Sequence, residues 1–379
     1  MSEQCFKCIP LTSASVRALE EGWGDLANVA ETPNLFLEPK CVAAALSLYD
    51  GRDVEIIYAS HEQKMIFLSL MEGAKGYAKL PVSFCQAAAH THAYLAHPLV
   101  RKGYEEEAAM LFCQWIDSTR KRFCFLKNVV LESNFLTALS EVCTAQRRVY
   151  SVPVAFSRAA IRYHGDYDTY LNSTLSKKRR KNIGRLYRRL EERGPVSFQQ
   201  WDASADIDTW LTDFLEMENT GWKKENGTAI LCREADINFF EILVKDAATQ
   251  GNLRFSRLLC GKEAIAYALD IVSTNEAFAL KVAYDPAFAD YSPGALLEVE
   301  VLKRHIADPQ ISCVDSCTTA DNSLVNSLWG ERKEIGSLLI GSDAGLSGMI
   351  TRMLVALESL ASIVRVKIEK LFRRVNGIL

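Results

Sequence analysis

The sequence predicts an α/β (α+β) chain of two successive modules with mixed central sheets, followed by a long C-terminal amphipathic helix. Three observations carry that prediction. From Val196 onward the apolar patterns read in the order β-α-α-β-β-β-α-β-α-β. The first half echoes that order. Residues 345–379 instead carry a heptad-like seam. The length of 379 residues, 49% hydrophobic and 24% charged, is ordinary globular composition with room for two domains.

In the second half, VSFQQW alternates as a short strand. Residues 206–221 place Ile207, Trp210, Leu211, Phe214 and Leu215 at helical spacing. After the loop WKKENGTAI, a second helix is expected over about 235–249, ended by Gly251. LRFSRLLC, AIAYALDIV and AFALKVAYD read as three strands, and the breaks GKE and STNE suit hairpin turns. The loop PAFADYSPG leads to a helix over about 295–307 and the strand ISCVD. A short helix over 321–329 and the strand EIGSLLI follow.

The first half carries helical patterns over 15–29 and 39–48. DVEIIYAS and KMIFLSLM make a hairpin, with a third strand expected near HTHAYLA. A helix over 103–118, the strand FCFLKNVVL, a helix over 133–142 and the strand RVYSVPVAF complete it. The expected boundaries are a degenerate N-terminal module at 1–160 and a basic connecting helix at 161–195. The second module covers 196–342, and the amphipathic helix 343–379.

The connecting segment, SKKRRKNIGRLYRRLEERG, carries nine bases against two acids. Its +7 leaves −10 on the rest of a chain whose net charge is −3. A nucleic-acid binder spreads basic charge over a face and has a domain pI above about 9; this chain's pI is about 6.1. Ile183, Leu186, Tyr187 and Leu190 share one helical face, so the segment reads as an anchored helix. No nucleic-acid partner is expected. The exposed bases, Lys178, Arg179, Lys181 and Arg185 among them, form a solvated face or attract phosphates or an anionic acceptor.

The terminal seam (Ile350, Leu354, Leu357, Ala361, Val364, Ile368, Leu371, Val375) is basic in its distal part. It suits packing on the body, a homodimer, a membrane surface or a partner. The eleven cysteines are odd in number and sit mostly in apolar runs, as reduced core thiols do. Cys5 and Cys8 have metal-pair spacing, but no second pair lies at a suitable distance, so no metal is expected. His90, His92 and His97 read as core or turn residues. Neither a signal peptide nor a membrane span is expected, which suggests a cytoplasmic location, or one peripheral to the inner membrane.

The most informative local piece is ALKVAYDPAFADYSPGALLEVEVL. A strand delivers the chain to a loop that opens a helix. Pro293 suits the helix entrance, and Gly294 allows close backbone approach. The amides of Gly294, Ala295 and Leu296 would point out of the helix end, an anion site fit for a pyrophosphate. A simply well-capped helix is the alternative.

That element order resembles the GNAT acyltransferase fold, in tandem here. In that fold the loop after the fourth strand holds the pyrophosphate of an acyl-coenzyme A. The usual loop pattern is R/Q-x-x-G-x-G/A, and Ala289-Asp290-Tyr291-Ser292-Pro293-Gly294 departs from it. The motifs LSKKRRKNIGRLYRRLEERG, ENTGWKKENGTAI and LKVAYDPAFADYSPGALL resemble the CelD-type acetyltransferases of cellulose and exopolysaccharide biosynthesis. These are relatives of the Fem-type transferases, which also pair two GNAT modules. The resemblance spans roughly 166–340 and extends more weakly through NLFLEPKCVAAAL and AYLAHPLV. It implies acyl transfer from acetyl-CoA or a longer acyl-CoA to a saccharide or amine, without metal. Val282 and Ala283 would polarise the thioester; Tyr291, Ser292, Gly294, Ala295 and Leu296 would hold the cofactor. Tyr284, Lys281, Asp270 and Asp315 are the candidate catalytic residues, and Asp285 is either a base or a turn cap. Glu216, Trp222, Lys181 and Arg185 are the candidate substrate contacts. The first module's matching loop, HPLVRKGYEEE, lacks the Ser-Pro-Gly and would shape the acceptor cleft. A Fem-like aminoacyl transferase, or a non-catalytic accessory of a polysaccharide synthase, are the alternatives.

Overall fold

The computed structural model describes residues 6–77, 80–119, 121–163, 165–220, 224–341, 348–349 and 351–356. The elements begin with β1 (Lys7–Pro10), α1 (Ser13–Val29), α2 (Pro39–Ala44), β2 (Val54–His61), β3 (Lys64–Tyr77), β4 (Leu80–Ala87) and β5 (Leu99–Val100). They continue through α3 (Glu105–Ser118), β6 (Phe123–Val130), α4 (Asn134–Ala145), β7 (Tyr150–Ile161), α5 (Tyr167–Thr174) and α6 (Lys177–Glu191). Then come β8 (Val196–Gln200), α7 (Ile207–Glu218), α8 (Glu234–Thr249), β9 (Leu253–Cys260), β10 (Glu263–Ser273) and β11 (Glu276–Tyr284). The series closes with α9 (Pro293–Ala307), β12 (Cys313–Asp315), α10 (Ser323–Asn326) and β13 (Glu331–Gly341). From β8 to β13 this is the order read from the sequence.

The chain forms two units, and neither is contiguous. Unit 1 holds Met1–Leu37, Gly51–Phe156 and Glu334–Leu379; unit 2 holds Glu38–Asp50 and Ser157–Lys333. Periodicity identifies elements without naming their partners, so the sequence by itself delimits only contiguous blocks. In unit 1 the strands run β1-β2-β3-β4-β6-β13, and α3 and α4 cover a core that includes Phe67, Phe112 and Phe135. In unit 2 they run β7-β12-β11-β10-β9-β8. Strand β13, last in the chain, is thus paired antiparallel with β6 of unit 1 (Ile335↔Val130 to Gly341↔Phe123). The end of β7 pairs with β12 in unit 2 (Val314↔Ile161). Residues 38–50 belong to unit 2 through α2, whose Lys40 pairs with Asp246 of α8 at 3.0 Å.

Two first-half expectations change. No strand forms at HTHAYLA, because His92 N–H donates to His90 Nδ1 and Ala93 N–H to the His90 carbonyl, closing a turn instead. The strand in that region is β4, whose second residue, Pro81, obscured it. The basic segment is two helices. Asp166 caps α5 and Ser176 caps α6, each accepting a backbone N–H three residues on. Of the terminal helix only 348–349 and 351–356 are described. There Leu354 is buried with Phe84, Phe123 and Leu339 of unit 1, and Met349 and Met353 are exposed. The expectations for the remaining residues of 343–379, and for Cys5, lie outside the described residues. Cys8 accepts the Trp115 indole N–H at 3.1 Å.

Unit 2 buries four charges where its strands are shortest. Asp315 on β12 takes Arg158 Nη2 of β7 at 2.6 Å and Lys333 Nζ of β13 at 3.0 Å. Lys333 also pairs with Glu276 of β11. Burial works against the Asp315 charge, but Lys333 and Arg158 outweigh it and hold the carboxyl at about 2. Its contribution is therefore present above the ordinary carboxylate range and is lost as the pH falls toward 2. Asp315→Ala would remove the carboxylate that faces both Arg158 and Lys333, leaving Glu276 as the network's one carboxylate, and should cost about 3–5 kcal/mol, read as a lowered urea midpoint at pH 7. A midpoint within error of wild type would contradict this account.

Glu298 on α9 behaves in the opposite sense. Burial, then the neighbouring Asp270, raise its carboxyl to about 8, although the Trp329 indole N–H donates to it at 2.9 Å. A group with a raised folded pKa contributes fully below the unfolded value and loses that contribution as pH rises through 8. Glu298→Gln should therefore gain on wild type by a few kcal/mol between pH 5 and pH 9, measured by urea titration at both.

Candidate active site

Strand β11 pairs with β10 along its whole length, from Ser273↔Glu276 to Ala266↔Tyr284. Its other neighbour, β12, accompanies it only from Glu276↔Cys313 to Phe278↔Asp315. Beyond Phe278 that edge faces no strand among the described residues. The register with β10 shifts at this point: Leu269 opposes Lys281, Asp270 opposes Ala279, and Leu280 is the extra residue. Such a bulge bends the strand and re-aims its side chains. The result is a wedge between β11 and the chain that follows β12.

A cavity of about 370 Å³ opens in this wedge, lined by Val282, Tyr284, Ala289, Leu324 and the turn from Ser292 to Ala295. Its end is the start of α9. Ser292 adopts a left-handed backbone (φ 50, ψ 55), and its side chain makes no cap. Pro293 has no amide hydrogen. Ala295 and Leu296 N–H donate to the Ser292 carbonyl at 2.9 and 3.2 Å. Of the three amides expected to be free, only that of Gly294 has no acceptor among the described residues. Leu296 begins the regular helix ladder, and Ala295 closes a tight first turn. A Cβ on Gly294 would stand 3.7 Å from both Tyr284 Cδ1 and Val282 Cγ1, so it would project between two cavity walls.

The expected cofactor residues divide accordingly. Val282, Ser292, Gly294 and Ala295 line the cavity, as does Tyr284, which is 42% exposed. Ala283 and Leu296 are buried away from it, Leu296 in the apolar cluster under α6. Tyr291 packs on Phe288 and carries the Arg189 guanidinium 5.3 Å above its ring. Asp285 caps the following turn through Ala287 N–H at 2.8 Å. Ala289 and Leu324 were not read from the sequence. Leu324 lies far along the chain and carries no motif.

The other candidates sit elsewhere. Asp270 is buried, accepting His305 Nε2–H at 2.7 Å, and Asp315 is wholly buried in its ion network. Lys281 lies on the other face of β11, near Glu218 of α7 and Asp236 of α8, with Nζ 5.8 Å from the Phe240 ring centre. Burial lowers its pKa, and Glu218 and Asp236 pull it partly back. Glu216 lines a separate open cavity of about 410 Å³ with Asp213, Glu263, Tyr267 and Asp285. Lys181 and Arg185 are exposed on α6. Trp222 lies outside the described residues. No cluster of His, Cys, Asp or Glu among the described residues could hold a metal ion.

Residues 177–322 match the model of a family described as an acetyltransferase (GNAT) domain. Unit 2 therefore carries a GNAT acyltransferase domain. No curated relative matches the chain. Solved structures share its fold at low identity. FemX is 12% identical with a TM-score of 0.54, covering 87% of this chain and 96% of its own. A conserved protein of unknown function from Bacteroides thetaiotaomicron gives the same two values, with 88% and 99% coverage. The C-terminal domain of a candidate lysylphosphatidylglycerol synthetase from Agrobacterium fabrum is 12% identical, with a TM-score of 0.52 and coverage of 90% and 96%. These likenesses concern the fold, which is GNAT-like.

Gly294→Ala separates stability from binding. The added methyl meets only ordinary contacts, and alanine favours a helix over glycine by up to about 1 kcal/mol. The thermal midpoint should hold or rise, while acetyl-CoA affinity by calorimetry falls at least about tenfold. Unchanged affinity would mean that the cavity end does not bind the donor.

Proposed function

We propose that unit 2 transfers an acyl group from a coenzyme A thioester to an amine or hydroxyl of a second substrate. The wedge supports this reading most directly. An apolar cavity runs from the Gly294 amide, which has no acceptor among the described residues, along a strand edge that has no neighbouring strand among them. From Tyr284 back to Ala279 that edge spans about 16 Å, long enough for an extended pantetheine arm. The Gly294 amide and the positive pole of α9 suit the pyrophosphate. Backbone amides of the edge suit the amides of the arm and, further in, the thioester oxygen.

In the reaction the acceptor atom attacks the thioester carbon, the C–S bond breaks, and the acceptor loses the proton that the thiolate gains. Holding both partners at one place supplies much of the rate. Tyr284 stands beside Gly294, at the phosphate end, so its part is to wall the donor. Lys281 lies further in, on the opposite face of β11, where burial lowers its pKa against the pull of Glu218 and Asp236, and it is the proton acceptor in this reading. An acceptor in cell-surface polysaccharide or cellulose biosynthesis is the finer proposal. It is supported by the three motifs around 175–194, 218–230 and 280–297.

Calorimetry with acetyl-CoA and longer acyl-CoAs tests the donor. Wild type should bind at least one of them, and Gly294→Trp none. No binding by either protein would sink the reading. For the chemistry, Lys281→Met should lower kcat by roughly 100-fold at unchanged KM for acyl-CoA and remove the rise in rate with pH that deprotonation of the base produces. Tyr284→Ala should instead raise that KM.

A further inference from the structure

Helix α6 carries positive charge that the protein does not neutralise. None of its bases, nor Arg193, pairs with a carboxylate among the described residues. Lys177, Lys178 and Arg179 occupy the first turn, with no acid there, where the helix dipole already concentrates positive charge. Lys177, Lys181, Arg185 and Arg189 follow at steps of four, so like charges neighbour one another along the helix. Such a row persists at a cost to the folded protein, which a polyanionic ligand would offset.

Its position says which ligand. The apolar stripe of α6 docks Ile183, Leu186, Tyr187 and Leu190 on the cluster of Phe288, Leu296 and Leu297 beside the cavity. At one end Arg179 Nη2 donates to Ser327 Oγ at 2.6 Å, one helical turn from the cavity residue Leu324. About 15 Å further along the helix, Arg189 lies over Tyr291, the residue before Ser292. The helix thus brackets the cavity mouth. At about 100° per residue, Lys178, Arg185 and Arg189 fall within about 40° of one another, on the edge that meets Tyr291. Lys181 and Arg188 are turned about 80° and 100° away from Arg189. Arg180 is occupied with the carbonyls that end α5, and Arg188 Nε with its own helix at Gly184, while Arg185 Nη2 donates to Asn182 Oδ1 at 2.9 Å.

We infer that Arg185 and Arg189, one helical turn apart, bind the ribose 3′-phosphate of the donor, so that the enzyme selects coenzyme A thioesters over donors lacking that phosphate. The inference rests on the cavity being the donor site. A dianionic phosphate matches guanidinium forks better than any monoanionic part of the donor. The same acyl group carried on a bare phosphopantetheine arm would lose these contacts.

Calorimetry on the full chain compares coenzyme A with 3′-dephospho-coenzyme A. Wild type should prefer coenzyme A by about tenfold or more, with the preference shrinking as salt is raised. Arg185→Ala/Arg189→Ala should bring the preference below about twofold, while dephospho-coenzyme A affinity stays near wild type. Arg188→Ala, an equal loss of charge on another edge, should keep the preference. Equal binding of both ligands by wild type overturns the inference and leaves the donor site standing. Binding of neither overturns the donor reading and this inference with it. Binding of bulk tRNA at low salt, with no preference between the two coenzymes, would assign the basic edge to nucleic acid and overturn it as well.

Discussion

The buried carboxylate of Asp315 is the constraint on which unit 2 depends. Strand β12 has three residues and few ladder hydrogen bonds to hold it. Its place is secured by Arg158 from β7, Lys333 from β13 and, through Lys333, Glu276 from β11. Fully buried ion networks rarely add net stability over apolar packing, but they are unforgiving of misplacement, since each unmatched charge is costly. Here they fix the place of β12 between β7 and β11 within unit 2.

A short β12 is also what opens the site. Had it continued alongside β11, the edge from Ala279 to Tyr284 would be spent on the sheet. Because it stops at Asp315, and because the bulge at Leu280 bends β11 at the same level, the sheet parts into a wedge. The wedge walls are apolar, its end is a helix start with one amide that has no acceptor among the described residues, and its mouth lies beside a helix whose bases pair with no carboxylate among them. Each feature suits a different part of one long molecule: an apolar arm, a pyrophosphate, a terminal phosphate. Their succession along one cavity is more specific than any of them alone.

Much of the second half was legible in the sequence. Helix α7 could be read from Trp210, Leu211, Phe214 and Leu215, because each of them is buried on one face. The cavity end was legible because Val282, Tyr284, Ser292, Gly294 and Ala295 lie within fourteen consecutive residues, so local chain geometry alone brings them together. The first half misled where local hydrogen bonds overrode alternation, as at His90 and His92. The carboxylates misled for another reason. Asp270 and Asp315 sit near strand ends, where active sites often open, but their partners His305, Arg158 and Lys333 are distant in sequence. No spacing rule distinguishes a buried ion pair from a catalytic base.

By itself, then, the sequence determined the element order, the helix start at Pro293-Gly294 and the anchored stripe of α6, all of which follow from interactions within a few residues. Only the tertiary structure decided that β13 pairs in unit 1, that β12 ends early enough to leave an edge, that Leu324 closes the cavity and that Arg189 faces Tyr291. Those outcomes depend on which distant groups satisfy a buried charge or an unpaired strand edge, and periodicity carries no information about such partners.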